Sequence, residues 1–330
     1  MKRIFIFAAS VLVVLLVLFN AAGCRRIAPA RSLSGNATKQ KKEEGKINVT
    51  SVIFPSYDFV RAIAGDKVNL ALLLSPGAES HSFEPGPLDI IDIRESDLFI
   101  YSGSENTKWM DRILNSGEIN ESRMKIIKLI DLVEGLKNED DEHDDGHDDH
   151  HEDAAVWDEH VWTSPRNAKL IVAAITEALC ELDGANADFY RNNSAEYSVR
   201  LDELDAVFRL IVEGAKRNTI IFADRFPFRY FAEAYGLEYF AAFPGCSAEA
   251  EPSAATVAFL INKVKSEQIP VVFYIELSNK KMADIISEET GAKKLLLHSA
   301  HNVTKKDFDA GANYLDLQKA NAVNLKEALW

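Results

Sequence analysis

Histidine is the side chain best suited to chemistry near neutral pH, and the eight histidines of this 330-residue chain fall into two sets. His143, His147, His150 and His151 crowd into DDEHDDGHDDHH at 140–151, where every other residue except Gly146 is a carboxylate. The ten carboxylates within 139–153 carry most of the net charge of −14. A run with no apolar residue cannot bury enough surface to offset its ordering entropy, so a mobile, solvated loop is expected. Imidazole and carboxylate at this density still collect divalent cations weakly. Asp141, Asp145, Gly146 and Glu152 also mimic the first, fifth, sixth and twelfth positions of a helix-loop-helix calcium motif. His143 occupies the third position and neither flank is a clean amphipathic helix, so the match is an accident of composition.

The second set, His81, His160, His298 and His301, is scattered, and its use depends on which elements carry it. Short apolar or β-branched runs at 47–54, 68–74, 97–103 and 124–130 alternate with amphipathic stretches at 57–65, 87–96 and 106–114. This is the signature of a parallel sheet covered by helices. Strands at 218–224, 238–243, 270–276 and 293–299 repeat the alternation, with helices at 229–236, 251–268, 280–291 and 309–329. Ligands of open parallel sheets bind beyond the carboxyl ends of the strands. His81 follows one strand by a loop, His298 and His301 end the last, and His160 returns from the acidic loop that leaves strand 124–130. Asp224 and Glu276 end two further strands. Singly, each histidine reads as a hydrogen-bonded structural residue. Several on one rim, with a carboxylate, form a donor set suited to Zn²⁺; manganese prefers more oxygen donors.

Two long helices, 164–184 and 185–216, separate the halves. The second carries apolar residues at 190, 197, 201, 204, 208 and 211 and is long enough to join two lobes as a stiff rod. The expected fold class is therefore α/β: two lobes, each a parallel sheet flanked by helices, a rigid linking helix, and a metal site in the cleft between lobes. The expected domains are an N-terminal lobe at 47–183, containing the acidic loop, the linking helix at 184–216, and a C-terminal lobe at 217–330. Ahead of them, Lys2 and Arg3 precede an apolar run at 4–19 that is short for a membrane span. This suits an export signal at 1–23. The AAGC at 21–24 resembles a bacterial lipoprotein processing box, implying lipidation of Cys24, with 24–46 a polar tether. Of the other two cysteines, Cys180 lies on the apolar face of its helix and reads as a buried thiol.

The segments IFPSYDFVRAIAGDKVNLALLLSPGAESHSFEPGPLDIIDIRESDLFIYSG, DEHVWTSPRNAKLIV, EPSAATVAFLINKVK and ISEETGAKKLLLH resemble the zinc- and manganese-binding substrate-binding proteins of metal ABC transporters. The resemblance covers nearly the whole chain after the tether. It implies two α/β lobes, a rigid linking helix and a metal enclosed between the lobes, with an acidic His-rich loop shortly before the second ligand in zinc members. Carried over by position, His81 in ESHSFEP is the first ligand and His160 in DEHVW the second. The third position falls, without a gap, on Arg225 of ADRFPFRYFAEAYG, which cannot ligate a cation; a one-residue insertion puts Asp224 there. The fourth falls on His298. Glu276 is the rival acid, His301 a substitute for His298, and Cys246 a soft alternative.

The resemblance implies an extracytoplasmic receptor held at the cell membrane by lipid on Cys24. It captures Zn²⁺, with Mn²⁺ or iron as the alternative, and delivers it to an ABC permease and its ATPase subunit. A monomer without nucleic-acid partners and without enzymatic activity is expected. A zinc metallohydrolase is the rival class, but no H-E-x-x-H is present. An adhesin, a role attributed to relatives, would call for a distinct adhesive module.

Overall fold

The structure, a computed structural model, describes residues 42–79, 83–103, 107–115, 123–136, 157–243 and 252–330. The export signal, Cys24, the acidic loop with its four histidines, His81 and Cys246 lie outside the described residues.

The first half is built from β1 (Asn48–Ser51), α1 (Phe54–Ala64), β2 (Asn69–Leu72), α2 (Pro87–Arg94), β3 (Leu98–Tyr101), α3 (Lys108–Asn115) and β4 (Lys125–Lys128). The four strands are all parallel, in the order β2-β1-β3-β4. Burial from both sides explains the unbroken apolar reading of β3, LFIY, whose four residues are all buried. Helix starts follow the local chemistry: Pro87 opens α2 while the Gly86 N–H donates to Asp89 Oδ2 at 2.9 Å. Gly65 closes α1 at φ +55°, a conformation that side chains disfavour, donating its N–H to the Arg61 carbonyl.

Helices α4 (Pro165–Leu182) and α5 (Ala187–Glu213) follow. The 27 residues of α5 make a rod of about 40 Å. Its buried stripe is Tyr190, Tyr197, Leu201, Leu204, Phe208 and Ile211, the apolar positions legible in the sequence. The second half contains β5 (Thr219–Phe222), α6 (Arg229–Tyr235), β6 (Glu238–Ala241), α7 (Ala254–Ser266), β7 (Val271–Tyr274), α8 (Lys281–Thr290) and β8 (Lys293–Leu296). Its parallel order, β6-β5-β7-β8, repeats that of the first sheet. The terminal helix, expected over 309–329, begins only at Tyr314 as α10 (Tyr314–Leu329), and a short helix that was not expected, α9 (Lys305–Asp309), precedes it. Gly311 at φ +81° makes the break, and the Asn313 side chain caps the second helix by accepting from the Asp316 N–H.

The linking helix α5 packs on α1 and α4 of the first half and on α6 and α10 of the second. Helix α10 touches α1 as well as β5, β7 and β8. One apolar core runs through both halves, including Phe59, Trp162, Phe208, Phe222 and Tyr314. Buried polar bonds cross the same seam. Asp58 of α1 accepts the Tyr314 N–H at 2.6 Å and pairs with Arg61, and the Tyr314 hydroxyl donates to the Trp162 carbonyl at 2.6 Å. Among the described residues no helix is long and apolar enough to cross a membrane.

Candidate metal centre

Strand order reverses beside β1 and β5, and loops leaving the carboxyl ends of both sheets meet there, where open α/β sheets bind ligands. The segment after β8 crosses from the second half to the first. The Phe54 N–H donates to the His301 carbonyl at 3.3 Å and the Gly77 N–H to the Val303 carbonyl at 2.8 Å. The Asn302 amide donates to the carbonyls of Ser75 and Ala78 at 2.9 Å each. Trp162, from the first half, returns the contact by donating its indole N–H to the Ser299 carbonyl at 2.8 Å.

At this crossing three buried residues, Glu159, His160 and His301, each offer one ligand atom, and these atoms lie within 4.8 Å of one another. An ion bonded tetrahedrally to each at about 2.0–2.2 Å would set the donors about 3.3–3.6 Å apart, so a pair at the 4.8 Å limit would close by about 1.2 Å or more. The rings of His160 and His301 stand edge to face, centroids 5.2 Å apart, with the Trp162 ring 5.3 Å from the first and 5.1 Å from the second. Cavities of about 10 Å³ and about 40 Å³ flank His301; Glu159 lines the smaller, and His160, Glu79, Arg225 and Glu276 line the larger.

Each donor is oriented by a neighbour. Asp158 Oδ1 accepts both the His160 backbone N–H, at 2.8 Å, and a bond from the imidazole Nδ1 at 2.9 Å. A carboxylate acceptor assigns the hydrogen to Nδ1 and leaves Nε2 with the lone pair a cation needs. Asp158 is held in turn, since the Tyr230 hydroxyl donates to its carbonyl at 3.1 Å. The Ser102 hydroxyl, just beyond β3, donates to Glu159 Oε2 at 2.8 Å. His301 is placed through its backbone: its N–H donates to Glu276 Oε1 at 3.1 Å, the Ser299 N–H donates to Glu276 Oε2 at 2.8 Å, and the Ser299 hydroxyl also donates to Glu276 Oε1. Ala300 between them sits at φ +61°. That left-handed residue turns the loop so that His301, rather than His298, faces His160.

His298 is buried but differently engaged. Its N–H and carbonyl pair with the Asn321 side chain at 2.7 and 2.8 Å, and its Nδ1 accepts the Ala300 N–H at 3.0 Å. A nitrogen accepting there carries no hydrogen for Glu276 Oε2, 3.5 Å away, so that contact is not a hydrogen bond. Asp224 lies two residues beyond β5, not at its end, and lines a neighbouring cavity of about 280 Å³ in which no histidine takes part among the described residues. Burial raises its carboxyl above the usual range, opposed by the Ser278 hydroxyl, the N–H groups of Arg225 and Ile275 and the Arg225 charge. The structure thus brings His160 and His301 together and places His298, Asp224 and Glu276 outside that group. Sequence reasoning passed over Glu159 and Asp158, although DEHVW carried the signal: a carboxylate two residues before a histidine can bond the same residue's N–H and ring.

Residues 49–328 match the family model described as zinc-uptake complex component A, periplasmic. The chain belongs to that family. Like other zinc-uptake component A proteins it is similar over most of its length to known members. It is 34% identical over 94% of its residues to the high-affinity zinc uptake system protein ZnuA of Bacillus subtilis (strain 168), covering 97% of that protein. The metal-dependent lipoprotein YcdH of Bacillus subtilis superposes with a TM-score of 0.72 at 30% identity, over 86% of this chain and 99% of that one. The Zn(II)-bound ZnuA-like domain of Streptococcus pneumoniae AdcA superposes with a TM-score of 0.71 at 29% identity, with the same coverage of each chain. Within this zinc-uptake component A fold, Arg225 stands in the cavity that His160 and His301 line. Among the described residues its guanidinium makes one ion pair, at 3.5 Å, with Glu79.

Proposed function

We propose that this protein is an extracytoplasmic receptor that captures Zn²⁺ through His160, His301 and Glu159 and hands it to an ABC permease driven by its ATPase subunit. Lipid on Cys24 holds it at the membrane face. The observation that carries the reading is the buried group of two imidazoles and one carboxylate where the two halves meet, each donor fixed by a second residue. Two imidazoles favour zinc over manganese. His81 is the fourth donor in this reading; the described residues closest to it in sequence, Glu79 and Phe83, line the two cavities that share His301. His298 and Glu276 support the loop rather than the ion, and Asp224 belongs to the adjoining cavity. The acidic loop, with His143, His147, His150 and His151, raises the local cation concentration. The family match over 49–328 and the zinc uptake protein of Bacillus subtilis at 34% identity support zinc as cargo. The working domains are the lobes at 47–183 and 217–330, joined by the helix at 184–216.

The binding is capture without bond-making chemistry. Neutral imidazole and ionised carboxylate replace the ion's water, so zinc is bound with loss of protons. The test is competition between Zn²⁺ and Mn²⁺ for the mature chain and for His160→Ala and His301→Ala. Zinc bound preferentially by the parent and weakly by both variants supports the reading; zinc affinity that survives both substitutions overturns it.

A further inference from the structure

The cavity of about 280 Å³ beyond β5 and β7 has no part in holding the ion by protein side chains alone, yet it adjoins the ion's place. It shares Glu79, Arg225, Ile275, Glu276 and Leu277 with the smaller cavity lined by His160 and His301. Its own walls are of mixed sign and polarity, with Asp224, Ser278, Asn279 and Lys281 facing Phe243 and Met282. Arg225 belongs to both spaces. Its planar fork of N–H donors matches a carboxylate, and a carboxylate held there would enter the cavity that the two imidazoles also line. Farther in, Asp224 is half-buried: its Oδ1 accepts the Arg225 N–H, while its Oδ2 is enclosed and lacks a well-aligned donor although the Ser278 hydroxyl and the Ile275 N–H lie near. A buried, unmatched carboxylate oxygen favours a ligand that brings an N–H donor. Volume agrees, since about 280 Å³ lies just below the range of small-molecule pockets and suits a ligand of amino-acid size.

We propose that this pair of cavities takes zinc as a mixed complex with a small amino acid, whose carboxylate bridges Arg225 and the ion and whose nitrogen-bearing end reaches Asp224. The inference rests on the zinc reading above and deepens it by naming the second component of the cargo. It also gives a use to the cation that stands where the family resemblance calls for a third protein ligand: the guanidinium holds an anionic donor supplied from outside.

Equilibrium dialysis of the full chain separates the two readings, with radiolabelled zinc alone, radiolabelled L-histidine alone, and both together. The expected result is zinc retained in the first arm, little histidine in the second, and zinc and histidine retained one to one in the third. Arg225→Met should lower histidine retention in the third arm at least tenfold, while zinc alone is held at least as tightly because a nearby positive charge is gone. Asp224→Asn, nearly isosteric, should lower histidine retention severalfold. Zinc retained without histidine in every arm overturns the mixed-complex inference and leaves the zinc reading standing. Histidine retention undiminished in Arg225→Met overturns it as well. Failure to retain zinc in the first arm overturns the zinc reading and this inference with it.

Discussion

Replacing His301 and His298 in turn by alanine separates the proposed donor from its scaffold. The two residues are three positions apart, both buried, and on one loop. His301 offers a ring nitrogen to the cluster, whereas the His298 ring accepts the Ala300 N–H. Protein zinc sites bind with roughly 10–16 kcal/mol near neutral pH. About 12 kcal/mol shared by about four donors assigns about 3 kcal/mol to each, or about 150-fold in Kd. His301→Ala should therefore weaken zinc by about two orders of magnitude. Its fold should hold, because the bonds through the backbone N–H of residue 301 to Glu276 and through its carbonyl from Phe54 survive the substitution. His298→Ala removes one buried acceptor and leaves the Ala300 N–H unmatched, a cost of about 1–3 kcal/mol in folding, with zinc weakened less than about tenfold. Competition against a chromophoric zinc chelator reads the affinity, and thermal melting of the zinc-free variants reads the fold. A folded His298→Ala protein that loses as much zinc affinity as His301→Ala would refute the assignment of the donor.

Asp158→Asn keeps the shape of the His160 support but loses the carboxylate acceptor, and should weaken zinc about 10–100-fold in the chelator competition. Trp162 touches both imidazole rings, so zinc should change the intrinsic fluorescence and Trp162→Phe should remove more than half of that change. Zinc retention should fall as pH drops through the ordinary imidazole range, about 6.5, because protons compete for the lone pairs; dialysis across a pH series checks this. Burial raises the Asp58 carboxyl above its ordinary 3.8, against the opposing pull of Arg61. The folded state then binds this proton more readily than the unfolded chain, so the contribution favours folding at low pH and is lost as pH rises from 3.8 through the folded value. Denaturant melts should accordingly show parent stability gaining on Asp58→Asn as pH falls through that window, and a parallel course in the two proteins would contradict it.

Much of the architecture was legible because every strand among the described residues lies in a parallel sheet. Strands of this kind write themselves as short apolar runs, and α5 carries its buried stripe at plain helical spacing. The late start of α10 and the short α9 were missed because KKDFD carries only one apolar residue and no periodicity to announce a helix, although Gly311 and Asn313 are the turn and cap residues that mark where α10 begins. The site was legible only as a neighbourhood. Strand ends placed His298, His301, Asp224 and Glu276 on one rim, but which ring faces the first half depends on the positive φ of Ala300, and a residue with a side chain rarely announces that conformation. Likewise Asp224 and Glu276 lie just beyond neighbouring strands, yet Glu276 is consumed by the N–H groups of Ser299 and His301 while Asp224 faces the other cavity.

The bracing of α5 and α10 against both halves bears on how the cargo leaves. A receptor that could swing wide would release its ion by spreading its walls, at a pace set by the hinge. Here such spreading must tear a shared apolar interior and the Asp58 to Tyr314 bond, so the proposed site is expected to empty by exchange of donors one at a time around the ion. Off-rates should then climb with the concentration of an incoming chelator instead of levelling at an opening rate, and a transporter that empties this protein must act as such a chelator.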